Sequence, residues 1–376
     1  QIQAQSGCMK TVPNIVDLWM NNNTYQGPAI GLNGTDYEEY IFANTIYDLI
    51  DNEFVNNDSP FFMVYTPHIV HCPLQVPQNQ YEKFNFSNDE NECQQQTAYV
   101  WPGFNNGNQF KCRQIYHSMV YTLDEIIGNI VTKLKNNNLW DNTLLVLSSD
   151  NGGPETLPES GANNTPLRGG KYSPWEGGIR ATAFVSGGLL PKERRGKQET
   201  GIIHISDWLA TFSDMIGVNP SDPNSDIYGF PNIDGFNVWP LVSGTNLTSP
   251  RNELYVDNNT LIQGNYKYLK GHVSWASWSG NIFPNSSSPQ HPVEGTSQDC
   301  VKGCLYDVLN DYTEHNNIAN NNENIVNNME QRLNELKKTF FTNKENGINS
   351  CPPNITIECA CWMAKNYWDM YFGPYQ

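Results

Sequence analysis

The chain has 376 residues, enough for one large hydrophobic core and a smaller second domain. Its 39 acidic and 22 basic residues give a formal net charge of −17, which argues against nucleic acid and anionic membranes as partners. No apolar run approaches the roughly 20 residues of a membrane-spanning helix, so we expect no membrane partner. The chain begins at Gln1, without an initiator Met or a signal peptide, which indicates a mature, processed or partial chain.

Cysteines and glycosylation sequons indicate an oxidising compartment. The nine cysteines are Cys8, Cys72, Cys93, Cys112, Cys300, Cys304, Cys351, Cys359 and Cys361. Asn-x-Ser/Thr sequons place candidate glycosylation sites at Asn22, Asn33, Asn85, Asn246, Asn258, Asn285 and Asn354. Together they favour a secreted or lysosomal protein. For Cys359 and Cys361 a disulfide is favoured over a zinc site, because their spacing does not match that of a zinc ribbon. An odd number of cysteines leaves one without a partner in the chain, which suggests a disulfide to something outside it.

The first predicted element is a helix from about residue 36 to about residue 53. Thr35 and Glu38 form a capping-box pattern, and an apolar stripe runs on to Phe54. After Pro60, which closes the following loop, the apolar run 61–65 predicts a buried strand. The chain therefore opens with a helix followed by a strand.

Two histidines, His68 and His71, follow that predicted strand in a proline-stiffened loop. On general grounds a histidine in such a place is more often a hydrogen-bonded structural residue than a catalytic one. Both interpretations stay open for His71 at this point.

A second helix of about five turns is predicted by apolar residues at three- and four-residue steps from Met119 to Leu134. The run 136–138 of three asparagines ends it. The apolar run 144–147 follows, which is typical of a strand covered on both faces of a parallel sheet. Strand, helix and strand in this order indicate a βαβ-type layer and an α/β fold.

Polar side chains follow that strand at once, beginning with Ser148 and Ser149. Asp150 and Asn151 come next, before two glycines, and ligands of open α/β sheets bind just beyond the carboxyl ends of the strands. A carboxylate beside a side-chain amide offers hard oxygen donors, which suit calcium or magnesium. The alternative is an ordinary turn.

A glycine-flanked lysine lies twenty residues further on, in the segment 166–171, which reads PLRGGK. Glycines on the approach to Lys171 allow the backbone to come close to a small ligand and to aim an ammonium group at an anion. The alternative is a solvated surface charge.

The rest of the chain predicts short elements. The run 181–185 is a plausible strand, and Ser206 is a candidate cap for a helix that ends at Gly217. After Arg251 we expect three short strands and a late helix. They cover Glu253–Val256, Thr260–Gln263, Tyr266–Leu269 and the stripe of Ile325, Met329, Leu333 and Leu336. Gly264-Asn265, between the second and third strands, favours a tight hairpin.

Three motifs carry a resemblance to a known family. They are SSDNGG from Ser148, NNTPLRGGKYSPWEGGIR from Asn163, and HCPLQVP from His71. In this order they resemble the sulfatase family, most closely its arylsulfatase B-like branch. The resemblance implies that Asp150 and Asn151 bind calcium, that Lys171 contacts the sulfate, and that His71 contacts the sulfate ester. His68 has no counterpart in the motif.

The resemblance also implies the fold and the domains. It implies an α/β, alkaline-phosphatase-like doubly wound sheet, incomplete at its N-terminal side, with a smaller C-terminal α+β subdomain. Residues 1–250 would form the later part of the catalytic domain. Residues 251–376 would form the subdomain, with a small antiparallel sheet and a helix.

One family motif is missing from this sequence. Sulfatases resembling this chain carry a C-x-P-S-R motif whose cysteine becomes formylglycine, the nucleophile, and the chain contains no such motif. One hypothesis is that the chain belongs to a cleaved, calcium-dependent arylsulfatase. An N-terminal sulfatase segment, held by a disulfide, would then supply formylglycine for a sulfate ester substrate. One alternative is a non-catalytic secreted protein with a structural or binding role. Another is a phosphodiesterase, but the intact sulfatase-like motifs argue against it. A doubly wound sheet without its first strands would expose an edge, which either the N-terminal segment or self-association into a homo-oligomer would cover.

Overall fold

The computed structural model describes residues 18–22, 24–32, 36–56, 59–86, 112–154, 161–222, 232–278, 296–339 and 365–366, and the backbone of residues 98–101. The chain up to Asn137 belongs to one compact unit, and residues 138–339 belong to another. In the described part of the chain, no helix combines the length and apolar character that crossing a membrane requires.

The first unit opens with a short hairpin. Strands β1 (Trp19–Asn21) and β2 (Gln26–Pro28) pair antiparallel. The turn between them is closed by Asn22, whose Oδ1 accepts hydrogen bonds from the backbone N–H groups of Thr24 and Tyr25, both at 2.9 Å. Asparagine favours such a turn because its short side chain reaches the backbone two or three residues on.

Helix α1 (Glu38–Asp48) continues through a π-helical turn, Leu49–Phe54, so the predicted first helix is confirmed. Its apolar stripe buries Ala43, Ile46 and Ile50. Tyr37 occupies the N-cap position without a side-chain cap, and Thr35 of the predicted capping box lies outside the described residues.

The prediction of a buried strand at residues 61–65 is wrong for this structure. Residues 61–65 do not form a strand in the structure, and alternate side chains point into solvent, with Phe62 73% and Val64 68% exposed. An apolar run indicates that a segment can be covered, but a strand also needs a neighbour for its backbone hydrogen bonds. The histidine loop therefore precedes the next strand and does not follow one.

That next strand is β3 (Leu74–Pro77), which leads directly into the single turn α2 (Gln78–Tyr81). Strand β3 pairs in parallel with β4 (Ala98–Trp101). The long helix α3 (Cys112–Asn136) confirms the predicted second helix.

Helix α3 packs on β3. Ile115 and Met119 from the helix meet Leu74 and Val76 from the strand in one buried cluster. Each such side chain contributes about 1.5–3 kcal/mol by leaving water. This layer of strand and helix is the core of the first unit.

The second unit begins with the predicted strand, β5 (Leu145–Ser148). A loop and the short helix α4 (Glu176–Ile179) lead to β6 (Ala183–Ser186), which pairs antiparallel with β5. The expected cover on both faces is not seen in the part of the chain that the structure describes. The apolar residues of β5 are half-buried, and Phe184 on β6 is exposed.

Helix α5 (Asp207–Met215) and the short α6 (Trp239–Ser243) follow. Ser206 occupies the N-cap position of α5 but does not cap the helix with its side chain, so that prediction is wrong. Its Oγ lies 2.8 Å from His204 Nδ1 and accepts a hydrogen bond from Arg251 Nη2 at 3.3 Å, so the hydroxyl is engaged elsewhere.

The unit ends with a four-stranded antiparallel sheet in the order β10-β9-β8-β7. The strands are β7 (Glu253–Asp257), β8 (Thr260–Gln263), β9 (Tyr266–Ser274) and β10 (Ser297–Asp307). The predicted hairpin after β8 is confirmed, with Gly264 at a φ of +56°, where glycine is favoured. The three predicted short strands are thus present.

Helix α7 (Glu323–Leu336) confirms the predicted late helix. Val326, Met329 and Leu333 pack against the sheet, in a cluster that includes Leu261. The proposed boundary between catalytic domain and subdomain at residue 250 stays a prediction.

Among the described residues, three cysteines are disulfide-bonded. Cys300 and Cys304 are bonded across an irregularity in the β10–β9 ladder. Cys112 is also disulfide-bonded. The remaining cysteines except Cys72 lie outside the described residues.

Candidate active site

The loop after β5 carries the two predicted calcium ligands. Ser149 fixes its start, because its backbone N–H donates to Thr182 O at 2.9 Å and its Oγ donates to Asn151 O at 2.8 Å. Asn151 Nδ2 donates to Asp150 Oδ1, so the amide nitrogen faces the carboxylate and the amide oxygen faces away from it. Asp150 is exposed and Asn151 is half-buried. The loop therefore presents side-chain oxygens at the end of the strand.

Gly152 holds this loop against helix α4. Gly152 N donates to Gly178 O at 2.9 Å, and a Cβ atom on Gly152 would lie only 1.6 Å from Gly177 O. No residue with a side chain fits there without moving the backbone. The glycine directly after Asn151 thus has a steric cause.

Asn164 joins this loop to the loop that carries Lys171. Its Oδ1 accepts from Gly153 N at 2.8 Å, and its Nδ2 donates to Gly153 O at 2.8 Å and to Gly169 O at 3.1 Å. Lys171 N donates to the same Gly153 O at 3.0 Å. The predicted calcium ligands and Lys171 are therefore held by one shared set of backbone hydrogen bonds. Sequence reasoning missed Asn164, although it lies inside the NNTPLRGGK motif.

A tight turn presents the lysine. Ser173 N donates to Gly170 O at 3.0 Å and Ser173 Oγ donates to the same oxygen at 2.7 Å, which places Lys171 and Tyr172 at the tip. Lys171 Nζ lies 5.4 Å from the centre of the Tyr172 ring. Lys171 is half-buried and Tyr172 is exposed.

Arg168, from the same motif, has a structural role. Its buried guanidinium lies between the rings of Trp175, at 3.7 Å, and Trp278, at 4.3 Å. It donates to Ala276 O at 2.8 Å and to Tyr306 Oη at 3.1 Å. A buried guanidinium needs such partners, and these partners tie the lysine loop to the C-terminal sheet.

A buried ionic cluster anchors helix α4 to strand β9. Lys267 is fully buried and donates to Glu176 Oε1 at 2.9 Å. It also lies 2.7 Å from Glu314 Oε1, an ion-pair contact without hydrogen-bond geometry. Glu314 Oε2 accepts from Glu176 N at 2.7 Å. Burial raises the pKa of Glu314, against the opposing charge of Lys267. Glu176, which follows Trp175 in the motif, therefore has a structural role.

A buried ion pair fixes helix α5. Arg251 donates to Asp207 through Nε and Nη2, at 2.9 Å and 2.6 Å, and Asp207 also accepts from the backbone N–H groups of His204 and Phe236. Burial raises the pKa of Asp207, but these hydrogen bonds outweigh burial and the pKa is lowered. The polar residues at this helix start thus anchor the helix and do not form a further binding site.

His71 belongs to the first unit. Its Nδ1 lies 2.7 Å from Cys72 O, and a carbonyl oxygen only accepts, so Nδ1 carries the proton. In the neutral ring Nε2 is then the basic nitrogen. The ring is exposed, and the loop is held by the bond from His71 N to His68 O at 2.9 Å.

The histidine loop is anchored by Glu39, which sequence reasoning missed. This buried carboxylate accepts from the backbone N–H groups of His68, at 2.8 Å, and Ile69, at 3.1 Å, and from Tyr65 Oη, at 2.8 Å. Glu38, Glu39 and His68 offer ligand atoms within 4.8 Å of one another. Because hydrogen bonds from the loop engage both oxygens of Glu39, we interpret the cluster as a loop anchor.

The glycosylation prediction meets the structure only in part. Asn22, Asn85, Asn246 and Asn258 are exposed. Asn33, Asn285 and Asn354 lie outside the described residues. Exposure permits glycosylation without proving it, so all seven sites stay predictions.

The chain is similar to known protein families and sequences. The family model described as Sulfatase matches residues 5–218. Arylsulfatase J of Mus musculus is 26% identical over 355 residues, which cover 86% of this chain and 52% of that protein. Arylsulfatase A of Homo sapiens is 28% identical over 203 residues, which cover 53% of this chain and 31% of that protein. The chain thus spans about half the length of arylsulfatase J, and less of arylsulfatase A.

Solved structures support the expected fold. The crystal structure of Ps i-CgsB in complex with k-i-k-neocarrahexaose gives a TM-score of 0.57 at 23% identity, covering 84% of this chain and 57% of that chain. This likeness confirms the α/β, alkaline-phosphatase-like fold class. Because the family model matches more than half of its residues, the chain belongs to the sulfatase family.

Proposed function

We propose that this chain is one part of a processed arylsulfatase that hydrolyses aryl or sugar sulfate esters. The observation that carries the proposal is the hydrogen-bonded connection around Gly153, which holds the loop of Asp150 and Asn151 to the loop of Lys171. These hydrogen bonds hold the loop with the oxygen donors of Asp150 and Asn151 next to the loop with the Lys171 ammonium. Family membership supports sulfate as that anion.

Asp150 and Asn151 have the donor type that calcium prefers, since each offers a side-chain oxygen. For both to bind one ion, Asn151 would have to rotate its amide so that the oxygen, and not the nitrogen, lies beside Asp150. Calcium takes about six to eight oxygen ligands, so other groups must complete the shell. The bound ion would polarise the sulfate group.

Lys171 and His71 would act on the sulfate ester directly. The Lys171 ammonium would offset the charge that develops on the sulfate oxygens, because a fixed cation is most effective where charge forms. His71, with its proton on Nδ1, would exchange a proton at Nε2 with the ester oxygen. His71 belongs to the first unit and Lys171 to the second.

The nucleophile is proposed to come from an N-terminal sulfatase segment that carries formylglycine. The chain has no C-x-P-S-R motif, and its cysteine count is odd. Exposed apolar side chains in the segment 61–65 and on β6 support a covering segment, because folded proteins rarely leave clustered apolar side chains in water. We further propose a disulfide between the segments and a secreted or lysosomal location.

The test is hydrolysis of an aryl sulfate by the protein as isolated, with intact masses measured before and after reduction. We expect a second polypeptide to appear on reduction and the activity to require it. Lys171→Ala should abolish turnover, whereas Lys197→Ala, at an exposed lysine of the same unit, should not. Turnover by the homogeneous 376-residue chain would refute the need for a partner. No turnover by the two-chain protein would favour the non-catalytic binding alternative.

A further inference from the structure

Tyr172 has a backbone conformation that its side chain does not favour. It is the third residue of the turn from Gly170 to Ser173, with a φ of +74°, which is the value for that position in a type II turn. Glycine and asparagine are preferred there, because a Cβ atom crowds the backbone at positive φ. A tyrosine at this position is therefore strained.

Packing of the ring does not explain the tyrosine. The side chain is 71% exposed, so little apolar surface is removed from water by folding. The turn itself is held by Ser173, through its backbone N–H and its Oγ, and these bonds do not involve the tyrosine ring. Strain that the surroundings enforce without a gain in packing points to function.

The position of the ring indicates which function. Tyr172 follows Lys171 at the tip of the turn, and the ammonium lies 5.4 Å from the ring centre. A sulfate held by Lys171 would carry its ester group out towards solvent, where the exposed ring stands. An aromatic face packs on another aromatic ring or on the C–H face of a pyranose.

We propose that Tyr172 is a specificity-determining residue that packs on the ring of the sulfate ester, so that the site prefers cyclic aryl or sugar esters to the bare anion. This inference rests on the proposed function of Lys171. It adds a contact for the organic part of the substrate, which the anion-binding residues do not provide.

The test measures binding and stability together, on the protein as isolated. Affinities for phenyl sulfate, galactose 6-sulfate and inorganic sulfate are measured by ligand-observed NMR, with thermal unfolding alongside. Tyr172→Gly should weaken both esters about three- to tenfold, leave inorganic sulfate within about twofold, and keep or raise the unfolding temperature, because glycine relieves the strain. Tyr172→Phe should bind like the wild type.

The controls separate this inference from the function on which it rests. Lys171→Ala should weaken all three ligands. If it does so while Tyr172→Gly binds the esters normally, the role of Tyr172 is overturned and the anion site stands. A Tyr172→Gly protein that melts earlier and loses inorganic sulfate equally would show a structural tyrosine and also overturn the role. If Lys171→Ala changes nothing, or the wild type binds none of the ligands, both proposals fail.

Discussion

Replacing Asn164 with alanine tests the connection that holds the candidate site together. The substitution removes three hydrogen bonds, two to Gly153 and one to Gly169. At about 0.5–1.5 kcal/mol each, their loss should cost about 2–4 kcal/mol in the free energy of unfolding. For a unit of this size that corresponds to a fall of roughly 5–15 °C in the unfolding temperature.

Two measurements check this expectation. Denaturant unfolding gives the loss of stability, and hydrogen exchange reports on the backbone N–H of Lys171, which donates to Gly153 O at 3.0 Å. That N–H should exchange faster in Asn164→Ala because its acceptor is no longer held.

The neighbouring asparagine provides a matched control. Asn163 Oδ1 accepts from Thr165 N at 2.8 Å, a local bond that does not reach Gly153 or Gly169. Asn163→Ala should therefore leave exchange at Lys171 unchanged, because the Asn163 side chain does not hold the acceptor of the Lys171 N–H. Equal effects of the two substitutions would refute the view that Asn164 joins the two loops.

Three further predictions follow from contacts of the second unit. Asp207→Asn should cost about 3–5 kcal/mol by leaving Arg251 buried without its counter-charge. Because the pKa of Asp207 lies below its ordinary value, the wild type should lose this stability as pH falls through the lowered pKa, and unfolding against pH should show that loss only when Asp207 is present. Gly152→Ala should destabilise the protein by more than about 1 kcal/mol in denaturant unfolding, since its Cβ meets Gly177 O. Asp150→Ala should abolish calcium binding in calorimetry, and unchanged binding would remove Asp150 from the site.

Local patterns predicted local structure well. Helix α3 follows from apolar residues at helical spacing, and the β8–β9 hairpin follows from Gly264-Asn265, because both depend on residues close in sequence. The motif residues Asp150 and Lys171 were expected to bind the two parts of one site, and the structure joins their loops because Lys171 N donates to Gly153 O. That connection supports the site assignment, which stays a prediction until ligand binding is measured.

Long-range partners could not be predicted in the same way. The segment 61–65 reads as a strand, but pairing depends on a neighbour that its own sequence does not specify. Arg168 lies in the motif that carries Lys171, and its sequence position gave no sign that two tryptophans and the carbonyl oxygen of Ala276 enclose it. Asn164 gave no signal beyond its place in a motif, since its hydrogen bonds go to backbone atoms.

The enclosure of Arg168 has a consequence for how the protein is made. The hydrogen-bond partners Ala276 and Tyr306 lie 108 and 138 residues further along the chain. At about 5–20 residues per second, a ribosome needs on the order of 7–28 s to add that length after Arg168. During this interval the lysine loop exists without the sheet that encloses its arginine. A premature stop within the C-terminal sheet should therefore yield a chain that contains Asp150, Asn151 and Lys171 but lacks partners that enclose Arg168 in the lysine loop.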